Sequence, residues 1–572
     1  MKATDLLTKI LVGHGVTHVY EMIGGMITHI VDSIATDGRI KLISMHHEQG
    51  AAFAVDGHSR VSGTPAVALA TSGPGATNLI TGIGSCYFDS VPSVFITGQV
   101  NRHELKGNRQ IRQLGFQETD IVSIVTPITK GAWRVDDPAQ LATILRAAFA
   151  LAVAGRPGPV LVDIPMDIQR ADVFDMDLAL GDEPKPIDDS TVQAVWQSAA
   201  SAKRPLLLLG GGIRSAQVHN ALMRCMILAN IPAVHSLMGV DCLSVDNSQR
   251  VGLIGSYGNR WANLAIAEAD FLLVLGSRLD IRQTGGDVAS FRGDKKIIHV
   301  DCEPGEINNR VSGCVAITAH LSEFLEASAR VLKNAPSAPN SSWARRLREL
   351  KDAHPEAAEC AVDSGVIQPN NFIRKLSRAS ITASSVCVDV GQHQMWAAQS
   401  WEIHSGQRFL TSGGMGSMGF ALPASIGAAC AVPNSPVVMI AGDGGFQCNI
   451  QELQTIQRKK LPIKMVIINN GCHGMVRQFQ ESYFDGRYQS TVTGYSAPDF
   501  TQIAVAYGIP AIKIHLDSEV NEALEWLWAD PMAPALLEVM LPQEVNVYPK
   551  LAFGRKFPDM EPNVKPVDME GT

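Results

Sequence analysis

Apolar, often β-branched runs recur along the chain, each bounded by Gly, Pro, Asn or Asp, and stretches of helical periodicity separate them. Val437 to Ala441 reads as a buried strand and Ile450 to Lys460 as a helix that Leu461-Pro462 ends. Ile463 to Ile468 then reads as the next strand, which completes a βαβ unit. Earlier in the chain Ala66–Ala70, Ser93–Thr97 and Val160–Ile164 read as strands, and so do Phe271–Leu275 and Lys296–Val300. The alternation predicts an α/β fold of three doubly wound, mostly parallel sheets. Their expected spans are 1–175, 190–332 and 365–545, followed by an extended tail, 546–572. Asp-rich sequence from Asp172 to Asp189 and the stretch NAPSAPNSS from Asn334 to Ser342 read as linkers. The first and third regions each set a Gly-rich turn after a strand, TSGPGATN and AGDGGFQCN, which suggests a shared architecture.

Composition narrows the class. At 572 residues the chain is too long for one core. It is 46% hydrophobic and 18% charged, as in ordinary soluble proteins. A net charge of -8 argues against a nucleic-acid partner. No apolar stretch reaches the roughly 20 residues of a membrane span. The opening MKATDLLTKILVGHGVTHVY runs directly into a helix and a strand, so no signal or transit segment is expected. Ten scattered cysteines without a C-x-x-C pair read as reduced core residues of a cytoplasmic protein.

The candidate chemistry lies in AGDGGFQCN and the IINN that ends the following strand. Ligands of such sheets sit at the carboxyl ends of strands, where Asp443, Asn469 and Asn470 fall. A carboxylate and an amide oxygen are hard donors that suit Mg²⁺. Gly442, Gly444 and Gly445 allow close backbone approach, and the helix after them presents free N–H groups to an anion. A diphosphate held through Mg²⁺ accounts for every part. A ligand-free helix cap is the plain alternative, and GDG alone would support no more; GDG with NN 27 positions on is far more specific.

These stretches resemble the acetolactate synthase (acetohydroxyacid synthase) family of thiamine diphosphate enzymes. The likeness extends over nearly the whole chain through HEQGAAFAVDGHSR, ATSGPGATNLITG, DSVPSVFITGQV, FQET, TPITK, AGRPGPVLVDIPMDIQ, LLGGGI, SLMG, GSRLDIRQTG, DVGQHQMWAAQ and SGGMGSMGFALPASIGA. It implies pyrimidine-binding, central and diphosphate-binding domains, with thiamine diphosphate, Mg²⁺ and FAD as cofactors. Glu48 resembles the glutamate that promotes the imino form of the pyrimidine; a surface Glu capping a helix is the plain alternative. Met418 resembles the apolar buttress of the bent cofactor, with core packing as the alternative. The resemblance further implies that Gly416 offers its carbonyl to the pyrimidine amino group and that Met475 is a cofactor contact. Asp443, Asn470 and the Cys472 carbonyl match the metal ligands, so the Cys472 thiol is not read as a nucleophile. Gln392 and His393 resemble diphosphate contacts. Phe116 and Gln117 resemble residues lining the reaction pocket, Lys130 a cation near its entrance, and Arg282 the arginine that recognises an acceptor carboxylate; a solvated surface Arg is the alternative for Arg282. Gly211, Gly212, Ser236, Leu237, Met238, Gly276, Arg278 and Asp301 fall in segments matching the family's FAD-binding domain.

The implied reaction decarboxylates pyruvate and joins its acetyl unit to a second 2-keto acid. It takes place in a homo-oligomer whose sites draw Glu48 and the Asp443/Asn470 pair from different chains; a regulatory subunit stays open. Four departures fall at the acceptor side. Ile23 stands where the family has Pro, and the fifteen-residue loop Asn101–Gly115 is long and carries Arg102, Arg109 and Arg112. Phe479 replaces a Trp that favours 2-ketobutyrate, and the tail PKLAFGRKFPDMEP differs. They keep open a ketone or keto-sugar nucleotide acceptor, and a pyruvate oxidase using FAD as a redox centre remains a further alternative.

Overall fold

A computed structural model describes residues 1–174, 187–334, 340–360 and 362–567. It contains three six-stranded sheets, in each of which every strand pair is parallel. Strands such as Val437–Gly442 and Ile463–Asn469 are buried along their whole length, because helices cover both faces of a parallel sheet.

The first sheet runs in the order Lys41–Ser44, His18–Met22, Ala66–Ala70, Ser93–Gln99, Pro159–Pro165, Gly131–Arg134. The third runs Arg408–Thr411, Ser385–Val388, Val437–Gly442, Ile463–Asn469, Ala535–Met540, Ala511–Ile514. Numbered within its own region each is 2-1-3-4-6-5, so the expected likeness of the first and third regions extends to topology. The central sheet runs Val315–Thr318, Lys296–Asp301, Phe271–Leu275, Pro205–Leu209, Ala233–His235, Arg250–Leu253. This is the two-winged order of dinucleotide-binding sheets.

The outer domains pack through helix Glu48–Ser62 of the first and helix Ala421–Ala431 of the third. The crossing is close enough to demand glycine. A Cβ at Gly57 would lie 2.1 Å from the Ala424 carbonyl oxygen, and one at Gly427 would lie 1.9 Å from that of Ala54. One apolar core therefore joins the two domains, with Phe53, Phe95, Phe420 and Met439 in it. The central domain has separate cores on its two faces.

The expected linkers fall partly outside the described residues, at 175–186 and 335–339. The second is shorter than its composition suggests. Asn340 caps helix Ser341–Ala353 by accepting from Trp343 N, and the Trp343 indole is buried, donating to the Pro205 carbonyl at 3.0 Å. The segment after Pro549, read as extended, pairs Lys550–Leu551 with Met560–Glu561 and seats Phe557 edge-on against Phe291 at 5.2 Å. No helix among the described residues is long and apolar enough to cross a membrane.

Candidate active site

Where two neighbouring strands of such a sheet send their connections to opposite sides, the loops at the carboxyl edge part and ligands bind. In the third sheet this point lies between Ser385–Val388 and Val437–Gly442. The register sets Gly442 beside Ile468, so Asp443 and the two asparagines emerge at the same edge. Asp443 opens helix Asp443–Gln447, is only 2% exposed, and accepts from the Tyr495 hydroxyl at 2.8 Å. Burial pushes its carboxyl up to about 6.

The asparagines divide their work. Asn469 donates to Glu538 Oε1 at 2.7 Å and accepts from Gly471 N, so it braces the strand end. Asn470 donates its amide N–H to Gln392 Oε1 at 2.8 Å, and its own carbonyl oxygen has no partner among the described residues and can accept or coordinate. The Cys472 carbonyl accepts a turn hydrogen bond from Gly474 N and keeps a second lone pair, while burial raises its thiol to about 11. One carboxylate, one amide oxygen and one peptide oxygen form an all-oxygen set that fits Mg²⁺. Among the described residues no three His, Cys, Asp or Glu side chains gather into a metal cage.

His393 is buried and its Nε2 has no partner among the described residues. Burial lowers the ring to about 3, so the imidazole is neutral. It packs against the Gly442 backbone, where a Cβ would come within 2.9 Å of it. The unsatisfied ring nitrogen is buried beside the Asp443 turn, where a bound ligand can supply its partner. Gly474 likewise yields its space to Gln392, whose Oε1 lies 1.9 Å from where a Cβ would stand.

At the first sheet's switch point, between His18–Met22 and Ala66–Ala70, the turns Gly24 and Thr71–Gly75 converge. Glu48 opens the next helix and is buried. Asn78 Nδ2 donates to its Oε2 at 2.9 Å, while its Oε1 lies above Gly75 with no partner among the described residues. Gln117 sits in the left-handed region at φ 66° and packs on Gly73, so it joins this cluster. Phe116 beside it is 79% exposed. Met418 and Phe479 are exposed as well.

The central sheet's switch point lies between Pro205–Leu209 and Phe271–Leu275. A cavity of about 390 Å³ opens there, lined by Gly211, Gly212, Ser236, Leu237, Met238, Gly276, Arg278 and Asp301 together. Its glycines let the two strand-end loops touch: a Cβ at Gly210 would lie 2.1 Å from the Gly276 carbonyl oxygen. Arg282 lines the same cavity.

Lys130 belongs to none of these clusters. Its Nζ donates to the Leu151 carbonyl at 2.6 Å and to that of Ala154, closing the end of helix Leu141–Val153, and burial lowers it to about 8. Phe479 stacks within an aromatic group, 4.9 Å from Tyr483 and 5.8 Å from Phe484, and the tail residue Phe553 meets Tyr483. Met475 is half-buried one turn earlier on the same helix.

Sequence reasoning missed Tyr495, Asn78, Glu452 and Asp389. Glu452 reaches across the domain boundary and accepts from His46 N at 2.9 Å, and burial pushes it up to about 7. Asp389 accepts from Val390 N, Gly419 N and Ala421 N, and thereby holds the downstream end of the loop that carries Gly416 and Met418. Its position directly after a buried strand, in DVGQH, was the available signal.

Three parallel α/β domains, with an oxygen-donor pair at the third switch point and a buried glutamate at the edge of the first, define the class of thiamine pyrophosphate enzymes. The models of that class match by domain: the N-terminal TPP-binding domain over residues 1–124, the central domain over 192–328 and the C-terminal TPP-binding domain over 389–539. The acetolactate synthase large subunit of Parasynechococcus marenigrum (strain WH8102) is 37% identical over 95% of this chain and 88% of its own. The isozyme 2 large subunit of Escherichia coli (strain K12) is 37% identical over 98% of this chain and 99% of its own. The chloroplastic acetolactate synthase of Arabidopsis thaliana is 35% identical over 98% of this chain and 84% of its own. The chain belongs to the acetolactate synthase large-subunit family.

Proposed function

We propose that the chain is a thiamine diphosphate-dependent carboligase that forms acetolactate from two molecules of pyruvate. The observation that carries this reading is the convergence of Asp443, Asn470, Gln392 and His393, whose Nε2 is without a partner among the described residues, at one switch point. Asp443, the Asn470 carbonyl oxygen and the Cys472 carbonyl would hold Mg²⁺. His393 and the backbone at Gln392, Gly442, Gly444 and Gly445 would hold the diphosphate, the Gln392 side chain being engaged by Asn470, Gln478 and the Val545 carbonyl. When bound, thiamine diphosphate supplies the carbon nucleophile and the electron sink for loss of CO₂.

The chain's own residues do the rest. Glu48 keeps Oε1 free for a ring nitrogen while Asn78 fixes the other carboxylate oxygen. Met418 and the Gly416 carbonyl support the cofactor's pyrimidine side, and Met475 lies beside the metal turn. Arg282 supplies an exposed guanidinium for an acceptor carboxylate. Once a second chain covers them, Phe116, Gln117 and Phe479 would wall the acceptor side and exclude water, which would protect the carbon–carbon step from protonation. The cavity of about 390 Å³ in the central domain suits the FAD of the family. The exposed faces of Phe116, Met418 and Phe479 support a homo-oligomer in which two chains complete each site. The relatives' designation as large subunits fits an assembly with a further, regulatory subunit.

The test incubates the purified chain with Mg²⁺, thiamine diphosphate, FAD and pyruvate, and measures CO₂ and products together. One acetolactate per CO₂ is expected. Acetaldehyde alone, or stoichiometric flavin reduction with acetate-level products, would overturn the reading.

A further inference from the structure

The stretch Ser412–Gly419 carries Gly416 and Met418, yet its sequence gives it little reason to hold one shape. Four of its residues, Gly413, Gly414, Gly416 and Gly419, are glycine, and Met415 and Met418 are exposed. Glycine loses more conformational freedom on ordering than any other residue, so the loop needs anchors. Asp389, from the same domain, holds its downstream end. The upstream end is held from another domain. Gly413 N donates to Asp89 Oδ2 at 2.9 Å and Gly414 N to Asp89 Oδ1 at 2.7 Å, so both carboxylate oxygens are engaged. Gly414 is pressed so closely onto Phe88 that a Cβ there would lie 2.7 Å from the Phe88 Cβ.

Asp89 is itself oriented. Its side chain is 2% exposed, and Arg60 Nη2 donates to Oδ2 at 3.0 Å. Arg60 pairs with Asp56 at 2.7 Å and donates Nη1 to the Thr411 carbonyl, the residue before the loop, at 3.0 Å. Within the loop Ser417 N donates to Ser412 Oγ. The Arg60–Asp89 pair thus ties the pyrimidine-side domain to the loop of the diphosphate-side domain through charge-assisted bonds.

We propose that Asp89, oriented by Arg60, is a positioning residue that sets the Gly413–Met418 loop and so determines where Met418 stands against the cofactor. The part concerning Met418 rests on the function proposed above; the anchoring of the loop does not.

Amide hydrogen exchange on the full apo chain tests the anchoring without any turnover. In Asp89→Ala, residues 412–420 should exchange at least about tenfold faster while the Val437–Asn470 region is unchanged. In the loaded enzyme, kcat for acetolactate should fall at least about tenfold, while half-saturation by thiamine diphosphate shifts less than about threefold, because Asp443, Asn470, Gln392 and His393 hold the other end. Asp89→Asn keeps one acceptor oxygen and should fall between wild type and Ala on both readouts; it decides the matter if the Ala variant does not fold. Unchanged exchange over 412–420, or a joint collapse of kcat and cofactor affinity, would overturn the proposal. A wild-type chain with an ordered loop and no acetolactate would instead sink the proposed function.

Discussion

Asn470 and Gln392 are 2.8 Å apart, with the asparagine amide donating and the glutamine carbonyl accepting. That single bond decides which end of the Asn470 amide is left to coordinate a metal. Residues that orient a metal ligand are typically worth about 10- to 100-fold in affinity. Gln392→Ala should therefore raise the Mg²⁺ concentration for half-maximal activity about 10- to 100-fold, read by titration of the chelator-treated enzyme. An unchanged Mg²⁺ requirement would remove Gln392 from this role.

Asp443 gives a pH prediction. Burial holds its carboxyl up at about 6 against an ordinary 3.8, so in the metal-free chain this group favours folding when protonated. That contribution is fully present below the unfolded pKa near 3.8 and is lost as pH rises through about 6. Mg²⁺ needs the ionised form, so protons and metal compete. Apparent Mg²⁺ affinity should fall steeply as pH drops from 7 to 5, and Asp443→Asn should bind weakly with a flat profile. A wild-type profile flat over the same range would refute the coupling.

Glu48→Ala should lower kcat by at least about 100-fold, the scale of an acid–base contribution, with the Mg²⁺ requirement little changed. Mixing it with Asp443→Ala after dissociation and reassociation should restore activity if two chains share each site. Mixed dimers that stay dead would refute the sharing.

Phe479 predicts acceptor selectivity. Phe is smaller than the Trp of the family pattern and lacks its indole N–H, so 2-ketobutyrate should be little preferred over pyruvate. Phe479→Trp should raise that preference, by up to about 10- to 200-fold if the contact is worth ~1–3 kcal/mol. Competition with equal pyruvate and 2-ketobutyrate checks it, and a strong wild-type bias toward the 2-ketobutyrate product would overturn it.

The helix expected at Ile450–Lys460 shows where local reading loses resolution. The chain forms a 3₁₀ turn at Ile450–Glu452 before helix Leu453–Lys459, and the Glu452 carboxylate is engaged by His46 of the first domain. No periodicity within that stretch encodes a partner about four hundred positions away. Lys130 in TPITK likewise has partners that only the fold supplies: its amino group donates to two helix-end carbonyls of its own domain.

By itself the sequence determined the strands, the three-region order, the Gly turns at the strand ends and the pairing of Asp443 with the NN dipeptide. These rest on hydrophobic periodicity and turn chemistry, which act between neighbours in the chain. Only the tertiary structure decided that Asn469 braces Glu538 while Asn470 faces Gln392, that Tyr495 caps Asp443, and that Asp89 reaches the Gly413–Gly414 backbone. Two adjacent asparagines have identical propensities, and a buried carboxylate takes whichever N–H groups the domain packing delivers. The close crossing at Gly57 and Gly427 fixes that packing, and with it the partners of groups more than three hundred residues apart.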